Sequence, residues 1–183
     1  MAEQQDDIEL LLEFRNEATK EKAFTKIMKK YQERLYWHIR RMVGGHEDAN
    51  DIIQNMFIKV WKSLDNFRED SQLYTWLYRI ATNESLTHIE KAKKRQSISM
   101  SDDDNPIGAS LKSDTDYDGN KVQWKLQQAI SLLPDKQKAV FNLRYFDEMP
   151  YQQMSKVLET SEGALKASYH HAVKKIEEFI LNH

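Results

Sequence analysis

The sequence predicts an all-α protein: two small helical domains joined by a flexible acidic linker, the second containing a helix-turn-helix. Three observations predict it. The 183 residues are 31% charged and include only 5 glycines and 3 prolines, a mix that favours helices over a turn-rich β fold. Apolar residues recur at three- and four-residue spacing on either side of residues 97–120. That intervening stretch, SISMSDDDNPIGASLKSDTDYDGN, is rich in Asp and Ser with few large apolar side chains, too few to offset the entropy of ordering it. The expected boundaries are 1–96, 97–120 and 121–183, with the linker leaving the two helical domains free to move.

Each element follows from its spacing. Ile8, Leu11, Leu12 and Phe14 open a short first helix. A second spans about 20–43, with Phe24, Ile27, Met28, Tyr31, Leu35 and Ile39 on one stripe, and Gly44-Gly45 ends it. A third, about 49–63, carries Ile52, Ile53, Met56, Phe57, Val60 and Trp61 as a continuous apolar stripe. Residues 65–71 form a polar loop. A fourth helix begins near Gln72, continues to about Arg95 and buries Leu77, Ile80, Ala81 and Ile89. Beyond the linker, a helix over 122–133 presents Trp124, Leu126, Ala129, Ile130 and Leu133. Pro134 suits the first turn of the next, where its missing N–H removes no bond. That helix holds Val140, Phe141 and Tyr145. Helices over 151–158 and 162–181, separated by Glu159-Thr160-Ser161, make the helix-turn-helix. Met154, Val157 and Leu158 then face Leu165, Tyr169 and Val173, and Ser161 is the expected N-cap.

Composition excludes several classes. There is no cysteine, which rules out disulfides and thiolate metal sites and suits a reducing compartment. No run of about 18 apolar residues exists, and the acidic start MAEQQDDIELLLEF fits neither a signal peptide nor a membrane insertion, so a cytoplasmic location is expected. His170 and His171 diverge by about 100° on a helix and have no supporting ligands, so no metal is expected there. Without a glycine-rich phosphate loop, nucleophile elbow or carboxylate dyad, neither enzyme activity nor a cofactor is expected. The net charge of −2 argues against strong unaided binding to nucleic acid. The aspartates of the linker account for that sign, and the rest of the chain is weakly basic.

The stretch Trp61–Asn83, WKSLDNFREDSQLYTWLYRIATN, is the most informative. Its aromatics Trp61, Phe67, Tyr74, Trp76 and Tyr78 alternate with Lys62, Arg68 and Arg79. Aromatic faces beside cations hold unstacked bases and their phosphates, although the same residues also suit an aromatic-rich helical core. The wider block from Glu47 to Asn83, EDANDIIQNMFIKVWKSLDNFREDSQLYTWLYRIATN, closely resembles the core-binding and promoter-melting region of bacterial sigma factors of the extracytoplasmic-function (ECF) group. Leu132–Ile180, LLPDKQKAVFNLRYFDEMPYQQMSKVLETSEGALKASYHHAVKKIEEFI, looks like the promoter-reading C-terminal domain of the same group. The two occur in the family's order with a linker between them.

The resemblance implies a transcription initiation factor whose partners are core RNA polymerase and promoter DNA, duplex at the −35 element and single-stranded at the −10 element. Many members also have an anti-sigma factor. It implies that Asp48, Asp51, Gln54, Asn55 and Lys59 dock on the polymerase; read without it, they are a solvated helix face. An acidic residue is common in the family where Asn55 stands. It implies that Asn66, Phe67, Arg68 and Asp70 belong to a loop that captures a flipped −10 base, with Asn83 reaching it and Tyr74, Tyr78 and Arg79 along the strand. Phe67 also reads as a loop anchor on the core, and Trp76 and Leu77 read as core. Lys166, Ala167, Ser168, His170, His171 and Lys174 fall at or beside the −35-reading face. Arginines are usual near Ser168 and His171, and glycine is common at Glu159. Histidine cannot match the bidentate reading of guanine by arginine, so −35 preference should differ from that of arginine-rich relatives or binding there should be weak. Two rival readings stand beside this one: a helix-turn-helix regulator that binds duplex DNA unaided, and an interaction module that sequesters a protein.

Overall fold

The computed structural model describes the backbone of residues 2–99 and 121–183. Its regular elements are α1 (Ala2–Phe14), α2 (Lys20–Val43), α3 (His46–Ser63), α4 (Leu73–Ser99), α5 (Lys121–Ser131), α6 (Asp135–Tyr145), α7 (Tyr151–Leu158) and α8 (Glu162–Asn182). A 3₁₀ turn over Leu64–Asn66 connects α3 to the loop before α4. Among the described residues there is no β-strand. The expected linker lies outside the described residues from position 100 onward, and its first three residues continue α4.

The first unit is built on α2. Ile27, Tyr31, Leu35 and Ile39 are fully buried along one stripe, and α3 and α4 pack against it through Met56, Val60, Leu77 and Ala81. Gly44 ends α2 in the left-handed region at φ 83°, returning its N–H to Arg40 O; that φ is strained for any residue with a Cβ. His46 fixes the α2–α3 corner, 2.6 Å from the Tyr36 hydroxyl and 3.0 Å from Asn50 Nδ2. The first helix turns differently from its sequence expectation. Leu10, Leu11 and Phe14 are buried, while Ile8 and Leu12 face outward. The reason is Asp7, whose buried carboxylate accepts from the Tyr31 hydroxyl at 2.7 and 2.8 Å and from Lys30 at 2.7 Å, fixing the rotation of α1 on α2. Trp61 also goes to the core side, edge-on to Phe14 and Phe24.

In the second unit Ala129, Ile130, Leu133, Phe141, Ala172 and Ile176 form a small apolar cluster. Trp124 of α5 remains half exposed. Pro134 precedes α6 as its cap residue rather than sitting in the first turn. Ser161 caps α8, its hydroxyl accepting from Ala164 N–H at 3.3 Å. Between α7 and α8, Glu159 takes φ 50°, ψ 43° and returns its N–H to Ser155 O. This is the position at which a left-handed residue terminates a helix, which is why glycine suits it.

The expected independence of the two units is corrected by the structure: they are docked. Val140, Leu143, Met149, Met154, Val157 and Leu165 belong to the same apolar cluster as the core of α1–α4. α7 lies along α4, and α6 lies against α2. Burying two complementary apolar faces is favourable whatever the composition of the segment that joins them.

Candidate polymerase and nucleic-acid interfaces

Burying Ile52, Met56, Phe57 and Val60 turns the opposite side of α3 outward. Asp48, Asp51, Gln54, Asn55 and Lys59 are all exposed. Two of them are tied to α4: Asp48 lies 3.4 Å from His88 Nε2, and Lys59 pairs with Glu84 at 2.5 Å. Asp51, Gln54 and Asn55 make no side-chain hydrogen bond or ion pair among the described residues. Ile58 stands among them, 52% exposed. Sequence reasoning missed it, although its spacing of three and four from Asn55 and Gln54 was the available signal. The face is therefore acidic at its start, amide-rich in the middle and carries one exposed aliphatic anchor.

The loop between α3 and α4 is held from both sides. Asp65 pairs with Lys20 at 2.9 Å, and the Lys20 ammonium lies 5.1 Å from the Phe14 ring centre. Glu69, at φ 59°, pairs with Arg15 at 2.7 Å. Between these clamps Asn66 and Arg68, and just past them Asp70, are exposed. Phe67 is not. It is only 7% exposed, its ring 5.1 Å from that of half-buried Trp76. In this conformation Phe67 anchors the loop, and Leu77 is fully buried in the core.

On α4, Asn83 is exposed, whereas the Tyr74 and Tyr78 rings meet at 4.5 Å, tilted by 46°. Tyr78 is 1% exposed and donates its hydroxyl to Asp147 Oδ1 at 3.2 Å. Burial, and then the Asp147 charge, hold its phenol far above the ordinary value, so it is neutral at any working pH. Arg79 pairs with Glu159 of the second unit. A cavity of about 350 Å³ opens beside that pair, lined by Asp70, Thr75 and Trp76 on one wall and Ser155 and Lys156 on the other.

The second unit presents α8. Leu165, Ala172 and Ile176 are buried, which leaves Lys166, Ala167, His170, His171 and Lys174 exposed and Ser168 at the boundary. The Lys166 ammonium lies 5.6 Å from the Tyr151 ring centre, and the two imidazoles are 6.1 Å apart at 57°, without convergence on a point. Among the described residues no three His, Cys, Asp or Glu side chains gather around a metal-sized space, and no helix is long and apolar enough to cross a membrane.

These two units coincide with two known sequence families. Residues 27–95 match Sigma-70 region 2, and residues 123–176 match Sigma-70, region 4. The chain is 31% identical over 157 residues to the ECF RNA polymerase sigma factor SigW of Bacillus subtilis, covering 81% of this chain and 83% of that one. It is 28% identical over 172 residues to the RNA polymerase sigma-H factor of Pseudomonas aeruginosa, 86% of each chain, and 29% identical over 165 residues to the ECF sigma-E factor of Escherichia coli, again 86% of each. Two solved structures share the fold. The sigma factor RpoE, in complex with the anti-sigma factor NepR from Bartonella quintana, superposes with a TM-score of 0.71 at 19% identity over 87% of this chain and 97% of that one. CnrH, in complex with the cytosolic domain of CnrY, gives 0.69 at 18% identity over 95% and 96%.

Proposed function

Because this chain belongs to the ECF group of sigma factors, which serve promoter-specific transcription initiation with RNA polymerase, we propose a division of that work among its surfaces. The outward face of α3, through Asp51, Gln54, Asn55 and Ile58 with Asp48 and Lys59 at its margins, docks on core RNA polymerase. The loop residues Asn66, Phe67, Arg68 and Asp70, with Tyr74, Tyr78, Arg79 and Asn83 of α4, hold the opened −10 strand. The exposed side of α8, through Lys166, Ala167, His170, His171 and Lys174 with Ser168 at its edge, reads the −35 duplex.

The observation that supports this most is the match of both sigma regions, in order, to two units that each retain an outward polar face. The energetics agree with the proposed strand role. Extruding a base takes a few kcal/mol, and each stacked base returns about 1–3 kcal/mol. An aromatic-walled loop that also hydrogen-bonds the base edge can therefore hold an opened strand and select its base. The weak charge of the chain fits a factor whose grip on phosphates is supplied largely by the polymerase. The chain catalyses nothing itself and works in the cytoplasm, where the polymerase forms the phosphodiester bonds. An anti-sigma protein is the further partner we propose, since RpoE and CnrH, which share the fold, were solved in complexes of that kind or with a cytosolic domain.

Pull-down with core polymerase followed by run-off transcription tests the reading. Retention by core enzyme and transcripts from a subset of promoters are expected. A chain that binds duplex DNA but not core enzyme would be an unaided regulator, and one that does neither would be an interaction module.

A further inference from the structure

We infer that the cleft between the two units is a binding site for a free guanine nucleoside, its base seated on Trp76 between Asp70 and Lys156. The site is the cavity of about 350 Å³ beside the Arg79–Glu159 pair, at the lower end of the size range of ligand sites. Each unit supplies one wall. The inference is independent of the assignment of Asp70 and Arg79 to an opened strand. That reading uses the first unit alone, whereas Ser155 and Lys156 belong to α7. The walls are fixed relative to one another. Gln153 of α7 donates to Gln72 Oε1 at 3.0 Å. At the same junction the buried Asp147 carboxylate accepts from Arg41 at 3.0 Å and from Tyr78 at 3.2 Å, and lies 2.9 Å from His38 Nδ1.

Three groups on these walls have bonding capacity that the protein does not use. Thr75 is 2% exposed, and its hydroxyl makes no hydrogen bond among the described residues. A buried polar group without a partner is unfavourable, and folded chains keep few of them. The sealed orphans among the described residues are Arg41 Nε and Asn142 Oδ1. The Thr75 hydroxyl is not one of them, so it meets solvent through the cavity that Thr75 lines. The exposed Asp70 carboxylate makes no ion pair or hydrogen bond among the described residues. The Lys156 ammonium donates to the Asp70 backbone carbonyl at 3.0 Å and meets no carboxylate there. Arg79 and Glu159, by contrast, neutralise one another.

The unused groups describe the ligand. Half-buried Trp76, backed by Phe67 at 5.1 Å between ring centres, offers an aromatic platform for a flat ring. A carboxylate only accepts and an ammonium only donates. Because Lys156 Nζ touches the carbonyl of Asp70 itself, the two charged groups lie within one residue of each other. The ring must therefore carry donors beside an acceptor on one edge. Guanine does: its adjacent N1–H and N2–H groups meet both oxygens of a carboxylate, and O6 beside them takes a lysine. Adenine offers the carboxylate only its N6 amino group. A base seated there also gives the Thr75 hydroxyl the partner it lacks. A bare phosphate suits the walls poorly, since Asp70 and Glu159 balance the charges of Arg79 and Lys156.

The probe is guanosine, titrated into the full chain and followed through the indole N–H signals in proton–nitrogen correlation spectra. Trp76→Phe identifies the Trp76 signal among the four tryptophans. A saturable shift of that signal is expected, with a Kd on the order of 100 μM for a ligand of this size in an open site. Adenosine should bind about tenfold more weakly. Lys156→Gln and Asp70→Asn, both at exposed positions, should each weaken guanosine about tenfold with helicity unchanged. Thr75→Val removes the unpartnered hydroxyl and keeps the shape of the side chain. It should weaken guanosine about threefold or more, yet leave the free chain at least as stable in urea.

No shift of the Trp76 signal at millimolar guanosine overturns the inference. Equal binding of adenosine overturns the guanine assignment, and the same shift with inorganic phosphate alone makes this an anion site and overturns it too. Undiminished binding by Lys156→Gln gives the base to the first unit alone and overturns the joint site. A destabilised Thr75→Val chain means that the hydroxyl already has a partner, which removes its part in the site. Transcription plays no part in these measurements, so the sigma reading and the nucleoside site fail separately.

Discussion

The left-handed Glu159 gives a quantitative test of how the helix-turn-helix is coupled to α4. An L-residue with a Cβ in this region costs roughly 1–2 kcal/mol, and glycine's larger unfolded-state freedom takes back roughly 0.5–1 kcal/mol. Glu159→Gly should therefore relieve about 0.5–1 kcal/mol of backbone strain. The same change removes the ion pair with Arg79, whose partners are 48% and 68% exposed, and a pair that exposed contributes about 0.2–1 kcal/mol. The two effects oppose each other. In the parent background Glu159→Gly should be close to neutral. In an Arg79→Ala background, where no pair remains, it should stabilise by about 0.5–1 kcal/mol, roughly 1–4 °C in Tm for a chain of this size. Glu159→Ala completes the set, because it removes the pair without relieving the strain and should destabilise only when Arg79 is present. Urea unfolding followed by far-UV circular dichroism reads both substitutions in both backgrounds. Destabilisation by glycine in the Arg79→Ala chain would refute the strained-cap reasoning. Equal effects of Glu159→Ala in both backgrounds would refute the cross-unit pair.

Asp51→Lys and Ile58→Ala should each weaken core-polymerase affinity while changing stability by less than about 0.5 kcal/mol, since both side chains face solvent; fluorescence anisotropy of labelled chain against core enzyme measures this. Phe67→Leu keeps an apolar side chain in the loop anchor and should cost under about 1.5 kcal/mol of stability, yet remove a stacking ring worth about 1–3 kcal/mol in strand opening. Permanganate reactivity of −10 thymines reports the opening, and undiminished reactivity would assign Phe67 to anchoring alone. Exchanging Lys166, His170 and His171 for a relative's residues should move −35 preference and leave −10 choice intact, as read by promoter selection with the holoenzyme. Burial holds the Lys138 ammonium below its ordinary pKa, so Lys138→Met should raise the melting temperature by removing a poorly solvated charge.

Much of the fold was legible because its determinants are local. The three-to-four spacing of α2, the glycine that stops it, the three-residue break before α8 and the Ser161 cap all act within a few residues of one another. The outward face of α3 was legible for the same reason, since a continuous apolar stripe dictates which side remains. The orientation of α1 was not. ELLLEF offers several apolar residues to the core, and Asp7 meeting Tyr31 across 24 positions selects Leu10 over Leu12.

The aromatic stretch divides in a way no periodicity dictates. Trp61 enters the core with Phe14 and Phe24, Phe67 closes on Trp76, and Tyr78 is drawn under Asp147. The sequence by itself determined the helices on either side of this loop and that two helical units follow one another in the order of the sigma regions. Only the tertiary structure decided that the units close on each other, and which proposed strand contacts that closure occupies. His38, Arg41, Tyr78 and Asp147 are separated by as many as 109 positions. Their meeting depends on how two finished helical surfaces fit, and local propensity carries no information about such a fit.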